Sequence, residues 1–288
     1  MLAPVQPGQI ALLGVPLDHN SSFLRGSVLA PRRLRETLYS DSSSLNTEGG
    51  INLGAGAHWV DAGDLVLGNP ATDFAIIERA TGELIDQGAR VLAIGGDHSI
   101  TFPLVAAHAK RYPGLTILHF DAHTDLYDEY EGKRTSHACP FARIMEAGLA
   151  KRLVQVGIRS LNAHTRAQAQ RFGVEIVEMR RWTPAALQSL PPLAGPLYLS
   201  LDLDVLDPAF APGVSHHEPG GLSTRELVRM IQQIEAPIAG ADLVELNPVR
   251  DLTGATAMVA AFLLKELAGQ LLATPRPVPL RPVPILRN

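Results

Sequence analysis

With 46% hydrophobic and 19% charged residues among 288, the chain can bury a large core and is not disordered as a whole. A net charge of −4 offers no basic stripe for nucleic acid and no polybasic patch for a membrane surface. The lone cysteine, Cys139, excludes an intrachain disulfide framework and a cysteine-rich zinc module, and it reads as a small buried thiol rather than a nucleophile.

Residues 1–7 lack the basic n-region and apolar h-region of a signal peptide, and no apolar run is read as reaching the ~18 residues of a membrane span. A soluble cytoplasmic protein is therefore expected. Residues 9–14 read as a first strand, and Asp18-His19-Asn20-Ser21-Ser22 follows it where α/β proteins place binding loops. Pro31 marks the start of a helix over 30–36, residues 41–56 form a Ser/Asn/Gly-rich loop, and 59–66 an edge strand. Phe74, Ile77, Ala80, Leu84 and Ile85 recur at helical spacing within 71–88. The buried strand 90–94 runs into Gly95-Gly96-Asp97-His98-Ser99, where the glycines permit a sharp turn. This pattern does not match the G-x-G-x-x-G nucleotide fingerprint.

The next strand, 114–118, leads into His119-Phe120-Asp121-Ala122-His123-Thr124-Asp125. Residues two apart in an extended segment share a face, so Asp121, His123 and Asp125 are expected to converge. A polar loop over 127–136 leads to His137, ahead of a helix running to about residue 149. Strand 151–158, helix 163–171, strand 174–178 and helix 184–190 continue the alternation, and strand 196–201 ends in Asp202-Leu203-Asp204. The Pro/Gly-rich stretch 207–221 describes a rigid loop that holds Glu218, and Ser223-Thr224-Arg225-Glu226 opens a helix with a capping box. Strand 238–246, in which Glu245 reads as a member of an internal ion pair, and helix 254–271 follow. About eight strands alternating with helices predict one three-layer α/β/α domain, residues 1–272, on a mostly parallel sheet. The proline-rich residues 273–288 form an extended tail.

In such folds ligands bind outside the carboxyl ends of the strands, where all of these motifs lie. A lone Asp there ordinarily caps the next turn. Four of them crowded into one pocket cannot all persist as bare anions, because repulsion and desolvation protonate some. Divalent cations resolve the conflict. Four Asp charges balance two such ions, and imidazoles add neutral nitrogen ligands, a set suited to Mn²⁺ or its first-row neighbours rather than to thiolate-bound zinc.

Gly95-Gly96-Asp97-His98-Ser99, Phe120-Asp121-Ala122-His123-Thr124-Asp125 and Ser200-Leu201-Asp202-Leu203-Asp204-Val205-Leu206-Asp207-Pro208 resemble, in order, the three signature blocks of the ureohydrolases, the arginase and agmatinase family. The likeness spans roughly residues 9–270, and the stretches 20–24, 136–138, 141–146 and 209–216 are most similar to plant-type arginases. The resemblance implies a hydrolase that cleaves an alkylguanidine to urea and an amine, with two Mn²⁺ ions per subunit sharing a hydroxide, in trimers or hexamers. It gives one ion to His98, Asp121, Asp125 and Asp202 and the other to His123, Asp121, Asp202 and Asp204, with Asp121 and Asp202 bridging. It assigns His137 to proton transfer, Glu218 to the substrate guanidinium, and Asn20 and His216 to the substrate pocket. L-arginine is the expected substrate because the motif variants are similar to plant-type arginases, and agmatine or another guanidino compound is the alternative because residues 126–136 lack the animal arginase pattern. Arg25 or His216 is the candidate reader of a carboxylate, and Asp128, Glu129 and Glu131 are candidate partners of an ammonium.

Two readings from other classes compete. A deacylase of related architecture would use one zinc and an oxyanion donor in place of Glu218, whereas six ligand-type residues here suit two metals. A non-catalytic metal-bound binding protein would lack a ligand, His137 or Glu218, and the sequence keeps all of them.

Overall fold

The computed structural model describes residues 2–55, 58–183 and 192–279. Eight strands form one sheet: β1 (Ile10–Val15), β2 (Trp59–Asp64), β3 (Arg90–Gly95), β4 (Thr116–Phe120), β5 (Arg152–Ile158), β6 (Glu175–Glu178), β7 (Leu197–Asp202) and β8 (Ile238–Val244). Their order is β2-β1-β3-β8-β7-β4-β5-β6, and every pairing is parallel. Parallel neighbours require crossovers, which are supplied among the described residues by α1 (Ala30–Leu38), α2 (Asp73–Asp86), α3 (Thr101–Ala109), α4 (Pro140–Glu146), α5 (Ala163–Phe172), α6 (Thr224–Gln232) and α7 (Ala255–Ala273).

Alternate side chains of the central strands feed two cores. Leu92, Ile94, Leu118, Phe120, Leu199 and Leu201 pack beneath α1, α6 and α7. Val91, Ala93, Ile117 and Tyr198 point the other way, toward α2, α3, α4 and α5. Burial on both faces is why these strands read as continuous apolar runs rather than as alternating ones. The expected three-layer α/β/α arrangement is what forms.

Three expectations need revision. The sequence reading placed no element between residues 99 and 114, yet α3 lies there, running on from a 3-10 turn, His98–Ile100, that the Asp97 carboxylate caps by accepting the Ser99 N–H at 3.0 Å. Residues 103–108 are all buried, so α3 shows no polar face and no helical periodicity. Secondly, α7 is long and apolar enough to cross a membrane, with a mean hydropathy of 1.4 over its 19 residues. It is a core helix instead, 67% buried against the sheet, α1 and α6. Thirdly, Gly95 and Gly96 do not have the positive φ a sharp glycine turn would use; a Cβ on Gly96 would lie 1.7 Å from the Leu17 carbonyl oxygen, so close approach is what requires glycine. The expected helix over 184–190 and the tail beyond residue 279 lie outside the described residues. In the described part of the tail, the Arg276 guanidinium donates to the Gly88 carbonyl of the same chain.

The strand order places the site. β3, β8, β7 and β4 lie side by side, although β3 and β4 precede the other two in the chain. Their carboxyl ends therefore bring His98, Glu245, the pair Asp202/Asp204 and the group Asp121/His123/Asp125 to one edge of the sheet.

Candidate metal centre

His98 is the hub. Its Nδ1 stands 3.1 Å from a carboxylate oxygen of each of Asp121, Asp125 and Asp202, and that nitrogen is buried without a hydrogen-bond partner. Beside it, His123 Nδ1 lies 3.0 Å from Asp204 Oδ2 and 3.4 Å from Asp121 Oδ1. Asp121 thus faces both imidazoles. The alternation expected of an extended segment does not carry through: Asp125 has a φ of 50°, and this left-handed residue turns back to join Asp121 at His98. Nor do Asp202 and Asp204 project from a continuing strand, because Asp202 caps a 3-10 turn, Leu203–Val205.

Capping and ligand geometry coexist because each carboxylate divides its oxygens. Asp202 Oδ1 accepts the Asp204 N–H at 2.8 Å while Oδ2 faces His98. Asp204 Oδ1 accepts the Ala122 N–H at 3.0 Å while Oδ2 faces His123. Behind them, His98 Nε2 lies 3.0 Å from Ser200 Oγ, whose hydroxyl donates to Asp242 at 2.7 Å. That places the His98 proton on Nε2 and leaves Nδ1 free as a ligand. The Gln155 amide donates to the Thr124 carbonyl and to His119 Nδ1, so His119 carries its proton on Nε2 and donates to Asp121 Oδ2 at 2.8 Å. His98, His119 and Asp121 stand close enough to share an ion, but with Nδ1 held by Gln155 and Nε2 donating to Asp121, His119 is placed to orient that carboxylate. His119 and Ser200 continue the alternate spacing of the two motifs, whereas Gln155 and Asp242 stand on other strands and form no pattern with them.

The charges fit metal binding. Burial together with Asp204 and Asp121 pushes the Asp202 carboxyl well up, and burial with Asp121 raises Asp204 to about 6. Burial alone would discharge His98 and His123, but the carboxylates facing them outweigh it and hold both imidazoles protonated well above their usual range. A metal-free centre thus fills with protons the space that divalent cations fill with charge, and the orphaned His98 Nδ1 with its three oxygens suits such a cation.

Above these residues is a cavity of about 230 Å³, lined in part by His137, His216, Glu218 and Glu245. His137 Nε2 meets Ser22 Oγ at 2.9 Å, its Nδ1 lies 3.4 Å from Glu245 Oε1, and its ring stacks on His216. Burial opposes its charge, yet Glu245 raises it to about 9. Glu245 does form the expected ion pair, but it does more. With a φ of 66°, it accepts the His98 N–H through Oε1, while its buried Oε2 has no partner. Glu218 is more exposed, and its Oε1 lies 3.4 Å from His123 Nε2, the nitrogen opposite the one facing Asp204.

Five residues expected at the pocket, Asn20, Arg25, Asp128, Glu129 and Glu131, do not line it. Asn20 does not line the cavity; its N–H donates to Asp97 and its amide to Ser99 Oγ, both at 3.0 Å, so it anchors the loop from which Ser22 reaches His137. Arg25 turns away, donating to the His19 carbonyl at 3.1 Å. His216 lines the cavity, but burial and the neighbouring His137 lower its pKa and keep it neutral. Asp128, Glu129 and Glu131 lie outside the lining; Asp128 accepts the Gln168 amide at 2.7 Å instead. Tyr127, Tyr130, Ser160 and Thr165, which the sequence reading passed over, take those places.

A family model described as the arginase family matches residues 8–269. The chain is 46% identical over 276 residues to "Arginase 1, mitochondrial" of Arabidopsis thaliana, across 91% of this chain and 80% of that protein. It is 36% identical over 265 residues to the agmatinase of Bacillus subtilis (strain 168), across 89% of each. Among solved structures, the arginase from Medicago truncatula matches with a TM-score of 0.87 and 44% identity, over 92% of this chain and 87% of that one. These relatives correct the cytoplasmic expectation: the Arabidopsis and Medicago arginases carry "mitochondrial" in their names, so residues 1–7 without a recognisable leader do not fix a compartment. A family match over nearly the whole chain, centred on these carboxylates and imidazoles, makes the protein a ureohydrolase belonging to the arginase family.

Proposed function

We propose that the protein hydrolyses L-arginine to urea and L-ornithine with two Mn²⁺ ions. One would be held by His98, Asp121, Asp125 and Asp202, the other by His123, Asp121, Asp202 and Asp204. The observation that carries this reading is the meeting of His98 Nδ1 with three carboxylates beside a second meeting of His123 and Asp204. Bound divalent ions supply Lewis acidity, which makes water nucleophilic at neutral pH.

The chain's own residues do the rest. A guanidinium is planar and pairs with carboxylate oxygens. Glu245 suits that role better than Glu218, because its Oε2 is unpartnered at the cavity while Oε1 is fixed on the His98 N–H. Glu218 then orients His123, the usual service of a carboxylate to the far nitrogen of a ligating imidazole. Once water has added to the guanidinium carbon, the carbon–nitrogen bond to the alkyl chain breaks and the leaving amine takes up a proton. His137, kept protonated by Glu245, is placed to give it.

The preference for arginine rests on the remaining lining. Ser22, Tyr127, Tyr130, Ser160 and Thr165 make this part of the lining neutral, although Tyr127 and Thr165 engage Asn162 through their hydroxyls, and neutral hydroxyls that both donate and accept suit the net-neutral head of an amino acid. Agmatine's bare ammonium finds no carboxylate among them. Agmatine is the second reading, favoured by the likeness to the Bacillus agmatinase. Urea release from L-arginine, agmatine and 4-guanidinobutyrate, measured side by side, tests the assignment. A kcat/KM for agmatine well above that for arginine reverses the substrate and leaves the metal reading standing.

A further inference from the structure

Arg159, just past β5, makes no ion pair among the described residues, and its guanidinium faces backbone carbonyls instead. Nε and Nη2 donate to the Glu218 carbonyl at 2.9 and 2.6 Å. Nη1 donates to the carbonyls of Gly157 and Val205 at 3.1 and 3.2 Å, and Nη2 also to those of Asp204 and Leu206 at 2.6 and 3.2 Å. Arginine is suited to this task because its donors are fixed in one plane and it has no acceptor. Three of the carbonyls belong to the turn that carries Asp204, and another to Glu218.

The cause is local. The pairing of β5 with β6 shifts register between Val156 and Ile158, and Gly157, between them, has a φ of 99°. A Cβ on Gly157 would lie 2.4 Å from Val205 Cγ2 and 2.9 Å from the Asp121 carbonyl oxygen. Only glycine admits this bulge, and the bulge re-aims the next residues. The N–H groups of Arg159 and Ser160 then donate to the Ala122 carbonyl at 2.9 and 3.1 Å, which ties down the β4 exit. One short segment thereby joins the exits of β4, β5 and β7 to the Glu218 loop.

We propose that Arg159 is a positioning residue for the half of the metal centre built on His123 and Asp204. It fixes the backbone of Asp204 directly, and it fixes Glu218, which faces His123. The half built on His98 depends on β3 and on the Ser200–Asp242 pair, which Arg159 does not touch. The proposal rests on the metal-dependent reading above and predicts an asymmetric defect.

Arg159→Gln and the charge-keeping Arg159→Lys test it, the latter guarding against a misfolded Gln variant. Mn²⁺ binding to metal-stripped protein is followed by equilibrium dialysis, and hydrogen–deuterium exchange is measured on the same metal-free samples. One of the two bound Mn²⁺ ions is expected to lose roughly 10–100-fold in affinity in the Gln variant and less in the Lys variant, the range seen for residues that support metal ligands, while the other keeps its affinity. At saturating Mn²⁺, kcat is expected to return close to that of the unmodified chain. Exchange is expected to quicken across residues 203–222 while β3 and β8 stay protected. A lowered melting temperature with unchanged Mn²⁺ affinity would make Arg159 merely structural and overturn the proposal, as would unchanged exchange. Failure of the unmodified chain to bind Mn²⁺ would refute the functional reading, whereas the metal-free exchange experiment judges the hold on the Asp204 turn separately.

Discussion

Asp202 and Asp204 show how much one side chain does here, each spending one oxygen on a backbone N–H and turning the other toward an imidazole. Replacing one oxygen by an amide in Asp202→Asn or Asp121→Asn removes a charge where the metal charge must be balanced. Both variants are expected to lose urea release by orders of magnitude and to retain less metal on elemental analysis. Cys139→Ala is expected to stay active, because burial pushes that thiol up to about 12 and leaves it protonated. A folded, metal-loaded but inactive Cys139→Ala would point to thiol chemistry instead. The two glutamates separate differently: Glu245→Gln is expected to cut kcat/KM even at saturating Mn²⁺, whereas the loss in Glu218→Gln is expected to recover as Mn²⁺ is raised. Steady-state kinetics across a Mn²⁺ titration distinguish the two patterns. The D-x-H-x-D and D-x-D patterns made five of the proposed ligands legible in the sequence, and the Gly95–Ser99 block added His98. Glu245 had no such pattern, because its place depends on a positive φ at the end of β8 and on the N–H of His98, far away in the chain.

Local signals set the elements, and some of them are testable by themselves. Ser223 and Glu226 cap α6 reciprocally, as the sequence suggested: the Ser223 hydroxyl accepts the Glu226 N–H at 3.2 Å, and the Glu226 carboxylate accepts the Ser223 N–H at 2.8 Å. Ser223→Ala is expected to cost about 1 kcal/mol in denaturant unfolding and to leave urea release unchanged, since the cap lies away from the cavity. The strands were legible because long apolar runs separated by turn residues have few alternatives. α3 was not, because a helix buried on nearly all sides shows no period.

For the molecule as a whole, strand order was the least legible feature. Nothing local in the sequence says that β7 and β8 insert between β3 and β4, and that insertion assembles the centre. It also concentrates ionisable groups, with a consequence for stability. Asp202, Asp204 and Asp97 are raised by burial among acids, the last two to about 6 and about 7. His98, His123 and His137 are raised by facing carboxylates that outweigh their burial, the last to about 9. In every case the folded chain holds protons that the unfolded chain has released. The stabilising contribution of these groups is therefore complete at low pH. It fades as pH rises, from about 4 to about 6 for Asp204, from about 4 to about 7 for Asp97 and from about 6.5 to about 9 for His137, and above their ordinary ranges for Asp202, His98 and His123. Bound cations take the protons' place, so the gap in melting temperature between metal-loaded and metal-stripped protein is expected to widen from about pH 5 to about pH 8. Thermal unfolding at both pH values measures it.

The central claim is that the exits of β3, β4 and β7 hold two Mn²⁺ ions on which guanidine hydrolysis depends. Its most direct test is to add Mn²⁺ to metal-stripped protein while following bound metal and urea release from L-arginine together. The account predicts that activity is absent without metal and saturates at two bound Mn²⁺ per chain. Full activity with a single tightly bound zinc would contradict it.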